Sequence, residues 1–183
     1  MKTERVVIFL DIDGVLQPLG SEDRFEHDLD ELRETLAKKY DNSDYLSMDR
    51  YDLGAVFFDW DKKAVERLRR LCIEAQADIV ISSDWRSYSP LSRLKDYFRL
   101  HDLEQYVVDV TTEIKSGKRY KEIALYLEQY PNINRFVIID DRHVTDFTEH
   151  YPDNFVRCIT IFDDDCLQKA LNILSKPVAT GLC

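Results

Sequence analysis

The sequence predicts an α/β fold, a three-layer Rossmann-like arrangement in which a parallel sheet lies between helices. Three observations predict it. Short apolar, β-branched runs recur at residues 6–10 (VVIFL), 79–81 (IVI) and 136–139 (FVII), with the content of strands buried on both faces. Amphipathic helical stretches alternate with them, the pattern of a parallel sheet with crossover helices. Each run also ends in polar side chains, at the strand end where α/β sheets hold their ligands. A chain of 183 residues is long enough for one sizeable core and short for two. One domain over residues 1–176 is therefore expected, with a cap-like insertion at 17–61 and a loose tail at 177–183.

In chain order, the first run delivers Asp11 and Asp13, and Gly14 then allows a sharp turn. An acidic turn capping a helix is the alternative reading of this segment alone. Residues 17–61 are polar and hold one helical pattern at 29–40, where Leu29, Leu32, Leu36 and Tyr40 keep helical spacing. This insertion is too short for a large independent cap domain and reads as a small lid, with Tyr45, Tyr51, Phe57, Phe58 and Trp60 as candidate lining; packing of most of these aromatics under the loop is the alternative. A helix follows at 62–75. The second run ends in Ser82, Ser83, Asp84, Trp85 and Arg86. A Ser-Ser-Asp cluster suits a strand-to-helix cap, and free amides at a helix start are also an anion site.

Further on, a helix is expected at 91–100 after Pro90 and a strand at 106–110. An amphipathic helix at 118–130 stops before Pro131. The next apolar run, within 135–141, ends in Asp140 and Asp141, for which a solvated acidic turn is the plainer alternative. A strand at 155–162 and a helix at 167–174 close the pattern.

Net charge is −10, from 35 acidic and 25 basic residues, which argues against tight nonspecific binding to nucleic acid, since such affinity comes from Lys and Arg neutralising phosphates. Arg67, Arg69 and Arg70 are the nearest approach to a basic patch and read as the solvated face of a helix. No run approaches the roughly 18 apolar residues of a membrane span, and no apolar signal segment precedes the first strand. Cys72, Cys158, Cys166 and Cys183 lack C-x-x-C spacing, so reduced thiols and a cytoplasmic location are expected.

Asp11-Ile12-Asp13-Gly14-Val15 resembles the D-x-D-G-[TV] signature of the haloacid dehalogenase superfamily of phosphotransferases, and the later polar clusters fall where that family has its other motifs. The resemblance implies Asp11 as nucleophile and Asp13 as general acid/base. The chemistry suits them: a carboxylate can attack phosphorus and hold the phosphoryl group, and a neighbouring carboxylate raises the pKa of the acid. It implies Ser83 as a phosphoryl-binding hydroxyl, with Ser82 the alternate. It implies a Mg²⁺ site of Asp11, Asp140 and the carbonyl of Asp13, with Asp141 acting through water or orienting the others. A basic residue before the last motif strand should neutralise these carboxylates. Arg119 is the first choice, Lys118 the second, and Lys115 and Lys121 remain candidates.

Within the superfamily, D-I-D-G-V-L-Q-P, S-S-D-W-R and I-I-D-D are most similar to the small domains of Swiss Army Knife RNA repair proteins. Arg86 is then a candidate phosphate clamp and Trp85 a candidate stacking surface for a base or sugar, with Asp84 and Lys118 beside them. A core role for Trp85, with Arg86 as its solvated neighbour, is the alternative. The expected activity is Mg²⁺-dependent phosphomonoester hydrolysis, on a nucleotide or RNA end phosphate. A small-metabolite phosphatase and a noncatalytic phosphate-binding protein are the other readings. A true dehalogenase fits less well, because such enzymes lack the second Asp.

Overall fold

The computed structural model describes residues 4–142 and 147–176; the tail expected over 177–183, with Cys183, lies outside them. Five strands form one sheet: β1 (Arg5–Leu10), β2 (Asp78–Ile81), β3 (Val107–Val110), β4 (Ile133–Asp140) and β5 (Phe155–Arg157). Their order is β3-β2-β1-β4-β5 and every neighbouring pair is parallel. Leu10 lies opposite Ile81 on one side and Ile139 on the other, so the three apolar runs end level. The ladder continues one residue beyond each run: Asp11 N–H donates to Ile139 O (2.9 Å), Ser82 N–H to Leu10 O (2.9 Å) and Thr111 N–H to Ile81 O (3.0 Å). Between β1 and β4 the strand order reverses direction, which opens a crevice at their carboxyl ends.

Alternation along the strands builds the layers. Ile8, Leu10, Ile79, Ile81, Val137 and Ile139 face a large core completed by α1 (Leu29–Tyr40), α4 (Lys62–Ala75), α5 (Leu91–Arg99) and α7 (Asp164–Ser175). Val7, Phe9, Val80 and Ile138 face the other way, onto Ile123 and Tyr126 of α6 (Arg119–Gln129) and onto Phe147. Helix α4 begins where Asp61 accepts from Ala64 N–H (2.7 Å) and ends on left-handed Gln76. Arg67 on its face pairs with Asp164 of α7 through two hydrogen bonds (2.7 and 2.9 Å) rather than standing in solvent alone. The last strand is shorter than the 155–162 expected. After Cys158 N–H donates to Asp140 O (3.0 Å), the chain turns away and Phe162 N–H reaches Val15 O (2.9 Å). Helix α7 starts three residues earlier than its apolar pattern, because Asp163 caps it and Asp164 and Asp165 suit the positive end of a helix.

The insertion shares the large core, which corrects the lining expected of two of its aromatics. It contains a 3₁₀ turn at Asp23–Glu26, α1, α2 (Asp44–Ser47) and α3 (Arg50–Gly54), which runs on into a wide π-type turn at Ala55–Asp59. Leu29, Leu32, Leu36, Tyr45, Met48, Leu53, Val56 and Trp60 all join the large core. Tyr45 is fully buried and its hydroxyl donates to Asp96 O (3.0 Å), while Trp60 stacks on His101. Neither lines an opening: a large aromatic contributes more by area buried in the core than it would at an exposed rim. Tyr51 and Phe57 are exposed, and Phe58 stacks on His27. No described helix is long and apolar enough to cross a membrane.

Candidate active site

The crevice between β1 and β4 gathers the polar residues that end the strands. Asp11 is buried: its Oδ1 accepts from Ile12 N–H (2.9 Å) and its Oδ2 from Arg119 Nη1 (2.6 Å). The loop beyond winds on one carbonyl, Ile12 O accepting from the amides of Val15, Leu16 and Gln17, and Gly14 N–H closes it on Gln17 O (2.8 Å). Gly14 has φ +71°, and a Cβ built there would meet Asp141 Oδ2 at 2.3 Å. Glycine is thus required twice, for the turn and for the approach of Asp141.

Asp13, two residues past the nucleophile candidate, accepts from the Trp85 indole N–H through Oδ2 (3.0 Å). Burial raises its pKa, the Trp85 hydrogen bond opposes this, and the charges of Asp11, Asp141 and Asp84 add to the rise. This is the environment in which a carboxyl can hold a proton nearer neutral pH.

One carboxylate oxygen from each of Asp11, Asp140 and Asp141 lies within 4.8 Å of the others. The Asp13 side chain is not among them. Asp140 is fully buried, bonded by Arg142 N–H (2.8 Å) and by Arg119 Nη1. Burial and the Asp11 charge raise its pKa in spite of Arg119, and burial and Asp11 likewise raise that of Asp141. Three carboxylates beside one guanidinium leave uncompensated negative charge. An all-oxygen donor set of this kind fits a hard divalent cation such as Mg²⁺.

Arg119, the first residue of α6, is buried with Nη2 on Asp84 Oδ1 (3.0 Å). Burial alone would lower its pKa, but Asp140 and Asp11 raise it further, so the guanidinium is firmly charged. Lys118 instead stands at the helix start with its ammonium over the Tyr120 ring. Asp84 is exposed and also accepts from Arg142 Nη2 (3.0 Å). Burial works against its ionisation, yet Arg119, Arg142 and Arg86 hold its carboxyl below the ordinary range.

Ser82 and Ser83 are both fully buried, and neither hydroxyl has a hydrogen-bond partner among the described residues; the same is true of Thr111 Oγ1 and Arg119 Nε. Buried polar atoms without partners are uncommon, and a cluster of them at strand ends suits a polar guest.

Two sequence expectations meet a different arrangement. Trp85 is a core aromatic, packed edge-on against Tyr97 and Trp60. Its free edge serves Asp13, so it offers no open face for a base. The Arg86 guanidinium is turned inward: Nε donates to Thr111 O (3.1 Å), Nη1 to Ser82 O (2.6 Å) and Ser83 O (2.5 Å), and Nη2 to Glu122. With its donors taken by the protein, it is not placed to clamp a phosphate. Glu122, Thr111 and Arg142 escaped the sequence reading. Arg142 follows directly on Asp140-Asp141, a local signal, whereas Glu122 carried none beyond its position in an amphipathic helix.

Residues 7–161 match a family model described as the HAD domain in Swiss Army Knife RNA repair proteins. No curated protein and no solved structure matches the chain.

Proposed function

The chain belongs to the family of HAD domains in Swiss Army Knife RNA repair proteins, and from that premise we propose that it hydrolyses phosphoric monoesters through an aspartyl-phosphate on Asp11. The observation that carries the reading is the pairing of two unlike carboxylates. Asp11 is buried and aimed by Ile12 N–H and Arg119, while Asp13, with its raised pKa, is aimed by Trp85. A carboxylate held in place by two donors suits the nucleophile, and a carboxyl whose pKa is raised suits the proton carrier.

In the first half-reaction an Asp11 oxygen bonds to phosphorus as the bond to the ester oxygen breaks, and Asp13 gives its proton to that oxygen. In the second, Asp13 takes a proton from water, whose oxygen bonds to phosphorus as the bond to Asp11 breaks. Inorganic phosphate leaves and both carboxyls return to their starting states. Arg119 balances the charge at Asp11 and Asp140, and Ser83, with Ser82 beside it, offers a hydroxyl to the phosphoryl oxygens. Asp11, Asp140 and Asp141, with the carbonyl of Asp13, are the groups that would hold Mg²⁺. When bound, Mg²⁺ would supply positive charge against the phosphoryl oxygens.

The substrate we propose is a nucleotide or an RNA end phosphate, a reading that rests on the RNA repair proteins for which the family is described. The net charge of −10 favours a second reading, a small phosphorylated metabolite. The test is turnover on an aryl phosphate, on sugar phosphates and nucleotides, and on 3′- and 5′-phosphorylated oligonucleotides, with and without Mg²⁺. Turnover that depends on Mg²⁺ and is lost in Asp11→Asn is expected. Undiminished turnover in Asp11→Asn would remove the nucleophile assignment.

A further inference from the structure

The Arg86–Glu122 pair is buried on both sides, with side chains 4% and 2% exposed, yet it touches none of the reacting carboxylates. Burying two charges is costly before their attraction is counted, and apolar residues of similar volume commonly do as well for stability. What an apolar pair cannot do is aim hydrogen bonds. Arg86 ties the carbonyls of Ser82 and Ser83, at the end of β2, to that of Thr111, at the end of β3. Glu122 receives Arg86 on Oε2 and Ile114 N–H on Oε1 (3.1 Å). One carboxylate thus joins the strand ends to the loop that leads into α6.

Helix α6 needs such a tie. Its N-cap residue, Lys118, makes no side-chain capping bond, so nothing at the cap itself fixes how the first turn sits over the sheet. Arg119 and Glu122 lie three residues apart in that first turn and therefore share one helix face. Arg119 reaches forward to Asp11, Asp140 and Asp84; Glu122 reaches to Arg86.

We infer that Glu122 is a positioning residue: through Arg86 it sets the first turn of α6 against the ends of β2 and β3, so that the Arg119 guanidinium lies on Asp11 and Asp140. The effect on turnover rests on the phosphatase reading above; the effect on Arg119 does not. Removing the Glu122 charge lets the turn shift, and Arg119 loses its fixed seat between the carboxylates. Partners one shell out from a reacting group typically cost about tenfold or more in activity when changed.

The experiment is side-chain NMR of the arginine guanidinium protons in the intact protein, with Arg119→Lys used for assignment, on wild type, Glu122→Gln and the volume-matched pair Arg86→Met with Glu122→Leu. Wild type should show distinct, slowly exchanging Nη protons for Arg119. In Glu122→Gln, and in the apolar pair unfolding at the wild-type temperature, these should average and exchange quickly. Arg119 signals as in wild type in either folded variant would overturn the inference, whatever the activity. Where wild type turns over an aryl phosphate, kcat should drop about tenfold in Glu122→Gln with KM within about twofold, and Glu122→Gln should add no further loss in an Arg119→Ala background. Losses that multiply instead would show that Glu122 does not act through Arg119. Absence of wild-type turnover, with Arg119 still released by Glu122→Gln, would count against the phosphatase reading and leave the positioning role standing.

Discussion

Asp13 and Gly14 show how much a single position can carry. The Trp85 N–H bond favours the Asp13 carboxylate, so its removal raises the Asp13 pKa further above the ordinary value. If Asp13 must be protonated to release the leaving group, activity falls as pH rises through that pKa. Trp85→Phe should therefore move this alkaline limb of the pH–rate profile to higher pH; a limb that stays or moves down contradicts the role. Gly14→Ala places a methyl on the Asp141 carboxylate in a left-handed backbone, so we expect a loss of about 1–3 kcal/mol in stability and weaker metal binding, read by chemical denaturation and Mg²⁺ titration. The need for a turn at Gly14 was legible from the sequence. The approach of Asp141 was not, because that residue arrives from β4, more than a hundred positions later.

At the scale of elements, polar contacts hold the insertion together and tie it to the sheet domain, in addition to its share of the core. Asp59 is buried in the π-type turn and is held by the amide (3.0 Å) and guanidinium of Arg24. Arg24→Ala would leave that buried carboxylate the amide but no counter-charge, and a loss of about 3 kcal/mol is expected in urea denaturation. His101, at the end of α5, bonds Val56 O of the same turn (2.8 Å) and stacks on Trp60. Burial lowers its pKa. The unfolded chain therefore binds a proton at this site that the folded chain refuses, and stability is intact above about pH 6.5 and falls as pH drops from there toward the lower folded value. In His101→Gln this part of the acid slope should disappear from unfolding curves taken across that range. A deletion from residue 23 to 45, attractive for a detachable lid, would remove Leu29, Leu32 and Leu36 from the core and is expected to unfold the whole domain.

Across the whole molecule, β1, β2 and β4 bring their terminal residues into one crevice where acidic charge exceeds basic. A cation bound there stabilises the native state by mass action, about 2.7 kcal/mol at a hundred times its Kd. Thermal unfolding should therefore move to higher temperature with Mg²⁺ and return with a chelator. The shift should shrink more in Asp140→Asn than in Asp141→Asn, given that Asp140 is fully buried and Asp141 is not; the reverse order would exchange their roles. This measurement needs no substrate.

The α/β class, the parallel strands and the carboxyl-end acids were determined by the sequence itself, because buried parallel strands leave apolar runs and because Asp11-Ile12-Asp13-Gly14 is local. The helices at 29–40 and 62–75 were equally legible from their spacing. Only the tertiary structure decided which way Arg86 and Trp85 face. Both follow a strand end and could point outward, but Glu122 and three carbonyls draw Arg86 inward, and the aromatic core with Asp13 claims Trp85. It also decided that the insertion belongs to the core. The partners that settle these orientations lie up to about seventy positions away in the chain, and burial is decided by which surfaces meet, a property no local pattern of residues records.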